Sequence, residues 1–204
     1  MEIETTTEVK MKLKHCIFII YIFGILVLYS QESDTPIHTN TFGRFIKLDI
    51  DTANSCRIYW GNGTKLNVSK NRYPVLGEGT LIVIDELETW VVLLQNCGQR
   101  SKNIVLLPLK SDTSEIVFEN VVGYDSINKK ILYLSRASDS KNIEITTYDL
   151  ASQRTSTILF PDFCTAVNPI ECITDIRYGD NIFFISYYEE NDKTLQEKAV
   201  VYIE

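Results

Sequence analysis

The sequence predicts an all-β chain, a propeller-like array of about four antiparallel blades that is either closed or left open. Two observations predict it. Ser101-Lys102-Asn103-Ile104 returns as Ser140-Lys141-Asn142-Ile143, and each copy follows a turn aspartate and an apolar run: Asp85 before Trp90-Val91-Val92-Leu93-Leu94, Asp125 before Ile131-Leu132-Tyr133-Leu134. The offsets are 39 residues for the tetrapeptide and 40 for the aspartate, so register holds across a whole unit. A period of about 40 residues built from short strands describes propeller blades. The second observation is that every convincing segment reads as a strand, with alternation as in Ile143-Glu144-Ile145-Thr146 and turn residues between the runs.

The elements follow in order. Lys10, Lys12 and Lys14 precede the apolar run Cys16 to Tyr29, which gives way to Ser30-Gln31-Glu32-Ser33-Asp34. A basic lead, an apolar stretch of this length and a small residue at its end describe a secretory signal peptide over 1–30, opening at Met1 or Met11. The run is short of the roughly 20 apolar residues of a spanning helix. Residues 31–42 form an N-terminal segment, and 43–204 the propeller-like domain. A degenerate first unit runs through Phe45–Ile50 and Arg57–Trp60, with a weak second half up to Pro74. The second reads Thr80–Ile84, Trp90–Gln95, Asn103–Leu109 and Ser114–Glu119; the third Asn120–Tyr124, Lys130–Ser135, Ile143–Asp149 and Arg154–Phe160. The fourth has Cys172–Arg177, Asn181–Tyr187 and Lys198–Ile203 and lacks a fourth strand, which leaves an edge that proteins normally cover. Ile37–Phe42 is free to complete it. A secreted eight-stranded barrel is the competing fold, but the sequence carries about 14 strand segments where such a barrel needs about 8.

Composition bounds the partners. Residues 1–30 hold three Lys and three Glu, so the remaining 174 residues keep 17 basic and 24 acidic side chains and a net charge of −7. An acidic chain without Lys/Arg clusters has the wrong electrostatic footprint for nucleic acid, and no basic tract suggests a membrane surface once the signal is cut. The expected partner is a small molecule or an extracellular protein. Cys56, Cys97, Cys164 and Cys172 remain after the signal, an even number that in an exported chain reads as disulfides. Three pairings are open. Local closure across a turn-rich loop favours Cys164–Cys172, which leaves Cys56–Cys97 by elimination. Asn62-Gly63-Thr64 and Asn67-Val68-Ser69 are glycosylation sequons, the first on the hairpin-turn signal Gly61-Asn62-Gly63.

Tyr124-Asp125-Ser126-Ile127-Asn128-Lys129-Lys130-Ile131-Leu132-Tyr133-Leu134-Ser135, followed by Ile145-Thr146-Thr147-Tyr148-Asp149-Leu150, resembles the blades of secreted propellers with a "YD…LYFS…YDL" pattern. The yellow and royal-jelly proteins, the YWTD propellers of lipoprotein receptors and the insect ommochrome-binding proteins carry such blades. Phe45-Ile46-Lys47-Leu48-Asp49-Ile50-Asp51-Thr52 before Arg57-Ile58-Tyr59-Trp60 is similar to the opening blade of the ommochrome-binding group. The YWTD tetrad itself is absent, and those families usually close six blades where this chain has material for four. The chain then reads as a self-closing small propeller, or as a shortened copy that stays open or is completed by another chain.

Catalytic signatures are nearly missing. There is no Gly-rich phosphate loop, no Gly-x-Ser-x-Gly elbow and no His-Glu-x-x-His, and His38 is the only histidine after residue 30. Asp51, Asp85 and Asp125 read as turn aspartates that bond their own backbone. A lactonase-type propeller enzyme would need several carboxylates converging on a metal, and no spacing singles out such a set. Neither a metal nor another cofactor is expected. The resemblance implies a secreted, non-enzymatic binder of a small aromatic or pigment-like ligand, with the recurrent aromatics Tyr59, Trp60, Tyr133 and Phe184 as its first candidate contacts; blade-to-blade packing competes for the same side chains. Adhesion or host interaction through a glycosylated surface is the alternative.

Overall fold

A strand that is apolar on alternate residues can bury one face, and a strand that is apolar throughout must bury both. Trp90-Val91-Val92-Leu93-Leu94 and Ile104-Val105-Leu106-Leu107 are of the second kind, so their sheet has to be covered on each side. The computed structural model describes residues 38–39, 44–62, 64–77, 80–98, 101–110, 113–138, 142–160, 169–189 and 194–202. Within them the chain is all-β. There is no α-helix among the described residues, only one 3-10 turn over Pro169–Cys172.

The strands form four separate antiparallel sheets. The first contains β1 (His38–Thr39), β2 (Phe45–Ile50), β3 (Ser55–Asn62) and β4 (Lys65–Val68) in that order, with β5 (Tyr73–Pro74) also paired to β3. The second is the meander β6 (Leu81–Glu86), β7 (Trp90–Asn96), β8 (Lys102–Pro108) and β9 (Ile116–Phe118). The third is β10 (Val121–Asp125), β11 (Lys130–Ser138), β12 (Asn142–Asp149) and β13 (Thr155–Phe160). The fourth has β14 (Ile173–Gly179), β15 (Ile182–Tyr188) and β16 (Leu195–Val201). A single barrel is thereby replaced by four sheets, as the strand count predicts.

Face alternation sets the order in which the sheets pack. On the second sheet Val91, Leu93, Val105 and Leu107 join Ile46, Ile58 and Trp60 of the first in one buried cluster. The residues between them, Trp90, Val92, Ile104 and Leu106, join Val121, Ile131 and Tyr148 of the third sheet in another. Leu132, Ile143, Ile145 and Phe160, on the opposite face of the third sheet, pack against Phe183, Ile185 and Val200 of the fourth. The result is a stack in chain order. Among the described residues no core cluster joins the first sheet to the fourth.

The repeat register carries into this stack. Ile104 lies on β8, the third strand of its sheet, and faces Phe118 on the fourth; Ile143 lies on β12, the third strand of the next sheet, and faces Phe160 on the fourth. Both isoleucines are buried. Ser140 and Lys141 lie outside the described residues, so the equivalence rests on the Asn-Ile half of each tetrapeptide. First strands carry matching irregularities, with register shifts at Val83/Asp85, Val121/Gly123 and Ile173/Asp175.

Two expectations need correction. The segment assigned to the last blade does not go there in its described part: His38 and Thr39 pair with Ile46 and Phe45, as an edge of the first sheet. A short return onto β2 closes a local hairpin, whereas reaching β16 would close a loop through the whole chain, at a greater entropic cost. The second correction concerns Cys56 and Cys97, which are free thiols. Cys56 is buried in the junction of the first and second sheets, where burial and the charges of Asp51 and Asp49 push its thiol up to about 11. Cys97 follows β7 and contacts the Gln95 carbonyl. Cys172 is disulfide-bonded; Cys164, its expected partner, lies outside the described residues, as does the signal segment.

If Ile104 and Ile143 are equivalent positions, Ile104→Ala and Ile143→Ala should each destabilise by about 2–5 kcal/mol, the usual cost of a cavity at a buried isoleucine. Urea denaturation followed by circular dichroism measures this. A cost below about 1 kcal/mol at either site would mean that the junction there is not a packed core.

Candidate functional site

The aspartates at the strand ends organise the turns. Asp51 Oδ1 accepts the Ala53 and Ser55 N–H groups, Asp125 Oδ1 those of Ile127 and Asn128, and Asp149 Oδ1 those of Ala151 and Ser152. These are turns locked by a side-chain acceptor, as read for Asp51 and Asp125. The remaining oxygens do something the sequence did not disclose. Asp125 Oδ2 accepts the Tyr202 hydroxyl at 2.8 Å and the Asn128 side-chain amide at 2.8 Å, and that amide also reaches the Gly179 carbonyl at 3.1 Å. The third sheet is thus tied to the fourth. Asp85 departs from the turn pattern: its Oδ2 accepts the Tyr124 hydroxyl and the Lys129 ammonium, joining the second sheet to the third.

Beside the Asp125 tie lies a cleft of about 480 Å³. Its walls are Asn128, Lys130, Thr147, Asp149, Ser152, Arg154, Thr155, Ser156, Asn181 and Tyr202. The topology explains the grouping, because the turns β10–β11, β12–β13 and β14–β15 all reach this end of the two sheets. Lys130 opens β11 opposite Asp149 at the end of β12, and Nζ meets Oδ2 at 3.0 Å. The same ammonium stands 4.9 Å from the centre of the Tyr202 ring, a cation–π contact. Thr147 faces Ser156 across the β12–β13 ladder, and its hydroxyl donates to the Ser156 carbonyl at 3.2 Å. Arg154 is exposed at the turn and pairs with no carboxylate among the described residues.

The electrostatics follow from these contacts. Burial works against ionisation of Asp149, but the Ser152 N–H, the Lys130 ammonium and the Ala151 N–H outweigh it and hold the carboxyl below its ordinary value. Asp149 is therefore charged at neutral pH and cancels Lys130. Arg154 leaves the cleft with a net positive charge. A second cleft, of about 420 Å³, is lined by Lys102, Val121, Val122, Ile170, Ile173, Thr174, Asp175, Ile176 and Tyr178. Among the described residues no group of three or more His, Cys, Asp or Glu side chains converges as a metal site would require.

The four aromatic candidates do not meet. Trp60 is 1% exposed between the first and second sheets, its Nε1 donating to the Pro108 carbonyl at 2.8 Å. Tyr133 packs against Phe118 in the junction of the second and third sheets, the rings tilted at 58° with centroids 5.1 Å apart. Tyr59 lies on the outward face of the first sheet, in register with Lys47 and Val68. Phe184 lies on the outward face of the fourth, 5.5 Å from the Arg177 guanidinium. None of the four lines either cleft. Of the sequon residues, Asn62 ends β3 opposite Lys65 at the hairpin, and Asn67 lies within β4 opposite Trp60. Gly61 has no substitute there, because a Cβ would fall 1.9 Å from the Lys65 carbonyl oxygen. No protein-family model, no curated protein and no solved structure matches this chain.

Two predictions follow from the buried polar groups. Burial opposes ionisation of Asp125, yet hydrogen bonds from the Asn128 N–H and side-chain amide, the Tyr202 hydroxyl and the Ile127 N–H hold its carboxyl below the ordinary value of 3.8. A depressed carboxyl contributes stability that is complete above its unfolded value and is lost as pH falls from there toward the folded one. The melting temperature should hold as pH drops to about 5 and fall below about 4, and Asp125→Asn should cost about 1–3 kcal/mol at neutral pH and flatten that acid limb. An unchanged acid limb in the variant would remove Asp125 from the account. The tryptophans give the other test. Among the described residues Trp90 Nε1 is buried without a hydrogen-bond partner, whereas Trp60 Nε1 has one. Trp60→Phe strands the Pro108 carbonyl and should destabilise by about 1–3 kcal/mol more than Trp90→Phe, which removes an unpaired donor; equal costs in chemical denaturation would refute the difference.

Proposed function

We propose that the chain is a secreted, non-catalytic binding protein whose four sheets stand as the blades of an open, propeller-like stack. Its ligand is small and polar, carries a carboxylate or phosphate-like anion, and enters the cleft beside Lys130 and Arg154. The cleft's composition is the observation that carries this reading. A guanidinium that pairs with no carboxylate among the described residues, beside four Ser/Thr hydroxyls and two carboxamides, supplies a bidentate anion donor with donors and acceptors around it. The neutral Lys130–Asp149 pair keeps the wall rigid without cancelling Arg154.

The cleft narrows the ligand class that the resemblance implies. Tyr202, the one aromatic residue in the cleft among the described residues, is buried with its hydroxyl on Asp125 and its ring beside Lys130, so it offers a ligand little stacking surface. A pigment-like molecule fits if it presents a carboxylate; a bare aromatic one does not. Binding without turnover is supported by Asp149, whose oxygens are engaged by two backbone N–H groups and Lys130. A proton-transfer role would need that carboxyl raised toward neutrality, and it is lowered. The signal segment and the two sequons support export, with Asn62 at its hairpin turn the better placed acceptor.

Isothermal titration of the secreted protein with mono- and dicarboxylates, inorganic phosphate and neutral sugars tests the site. Anions should bind and sugars should bind more weakly. Arg154→Ala, at an exposed turn, should leave the melting temperature unchanged and weaken anion binding at least about tenfold, or about 1.4 kcal/mol. Anion binding that is absent at millimolar concentration, or indifferent to Arg154→Ala, would overturn the assignment.

A further inference from the structure

The two ends of the stack are unlike its interior. Each internal junction is made by one sheet's forward face against the next sheet's backward face. The first sheet's backward face and the fourth sheet's forward face are therefore a pair of the same two kinds, and among the described residues no core cluster covers either. Repeat arrays need polar outer faces on their terminal units to stay soluble as single copies. Here the outer faces expose large apolar side chains among their charges. On the first sheet Leu66 is 60% exposed and Val68 40%, in register with Gly61 and Tyr59. On the fourth, Val201 is 64% exposed opposite Ile182, and Leu195 is 56% exposed opposite Tyr188.

We propose that these faces bind each other between two copies of the chain, head to tail, the fourth sheet of one copy packing on the first sheet of its partner as a continuation of the stack. Charge supports this over two like faces meeting. The outward face of the first sheet carries Lys47, Asp49 and Arg57, and that of the fourth carries Asp175, Arg177 and Glu197, so the former is net positive and the latter net negative. Like-with-like contacts would set the same sign against itself, which costs free energy at a desolvated interface. A head-to-tail contact used twice closes a ring of eight sheets; used without closure it builds a filament. The inference stands on the stacking order and end faces alone and does not depend on the ligand cleft.

Native mass spectrometry and light scattering of the secreted protein, with Leu66→Glu and Val201→Glu, decide it. Both positions are exposed, and unchanged melting temperatures confirm that each variant folds. Wild type should run at twice the chain mass or more. Each variant alone should be a monomer, because each has lost one of the two faces. Mixing the two variants should restore a one-to-one dimer through the intact forward face of the Leu66→Glu chain and the intact backward face of the Val201→Glu chain. A monomeric wild type at tens of micromolar would overturn the proposal. So would dimerisation of either variant alone, which would show a like-with-like interface, or a mixture that stays monomeric.

Discussion

Everything in this protein depends on sheets that are apolar on both faces. A two-faced sheet cannot be stable alone in water, and it cannot be satisfied by a single neighbour. The second and third sheets each use odd and even residues of the same strands to bury two different surfaces, as Val91 and Val92 or Ile131 and Leu132 show. Stacking is the consequence, and the order of the stack is the order of the chain because each meander passes directly to the next. Stability is accordingly spread over three junctions. No junction can be removed without exposing the core of its neighbour.

Apolar faces alone would permit adjacent sheets to slide or rotate. Directional polar ties prevent this, and they sit where strands end. Asp85 holds Tyr124 and Lys129, Asp125 holds Tyr202, and Trp60 donates to Pro108, each across a different junction. Glu115 adds a further tie: its carboxylate accepts the Lys70 and Asn71 N–H groups and the Tyr73 hydroxyl, in a loop that would otherwise leave these donors without partners. Buried carboxylates are tolerated only when saturated with donors. Asp125, with four, meets that condition. A turn aspartate thereby acquires a second role, fixing the turn with one oxygen and the next sheet with the other.

How much of this was legible in the sequence follows from the same distinction between local and non-local interactions. Strand positions and turn aspartates are local, and β2, β7 and β12 fall within a residue of where alternation and turn chemistry place them. The repeat offset reported equivalent third strands because the length difference between the units falls in the turn before the fourth strand, so Ile104 still faces Phe118 and Ile143 still faces Phe160. What failed was non-local. Recurrent aromatics on second strands looked like one ligand site, but Tyr59 and Tyr133 share the backward face of their sheets and only the third sheet has a neighbour behind it, while Phe184 lies on the forward face of the fourth. Elimination after a local Cys164–Cys172 closure left Cys56–Cys97, yet elimination carries no information on which sheet face a thiol occupies. Arg154 and Lys130 are unremarkable in sequence and become neighbours only through the turn-rich end of the third sheet.

The cleft and the bare ends share a physical origin. A stack of meanders leaves its turns at the sheet ends, where backbone groups must be satisfied by polar side chains, and leaves its outermost faces without a covering sheet. Polar recognition belongs to the first kind of surface and association to the second. The side chains are distributed accordingly. The cleft walls are hydroxyls, amides and charges, while the end faces pair Ile182 with Val201 and Tyr59 with Val68. A chain that closed on itself would have to bury both end faces against each other, and the cross-strand pairs there would then be core. Their exposure among the described residues, with opposite net charge on the two faces, is why we propose a second copy of the same chain as the partner.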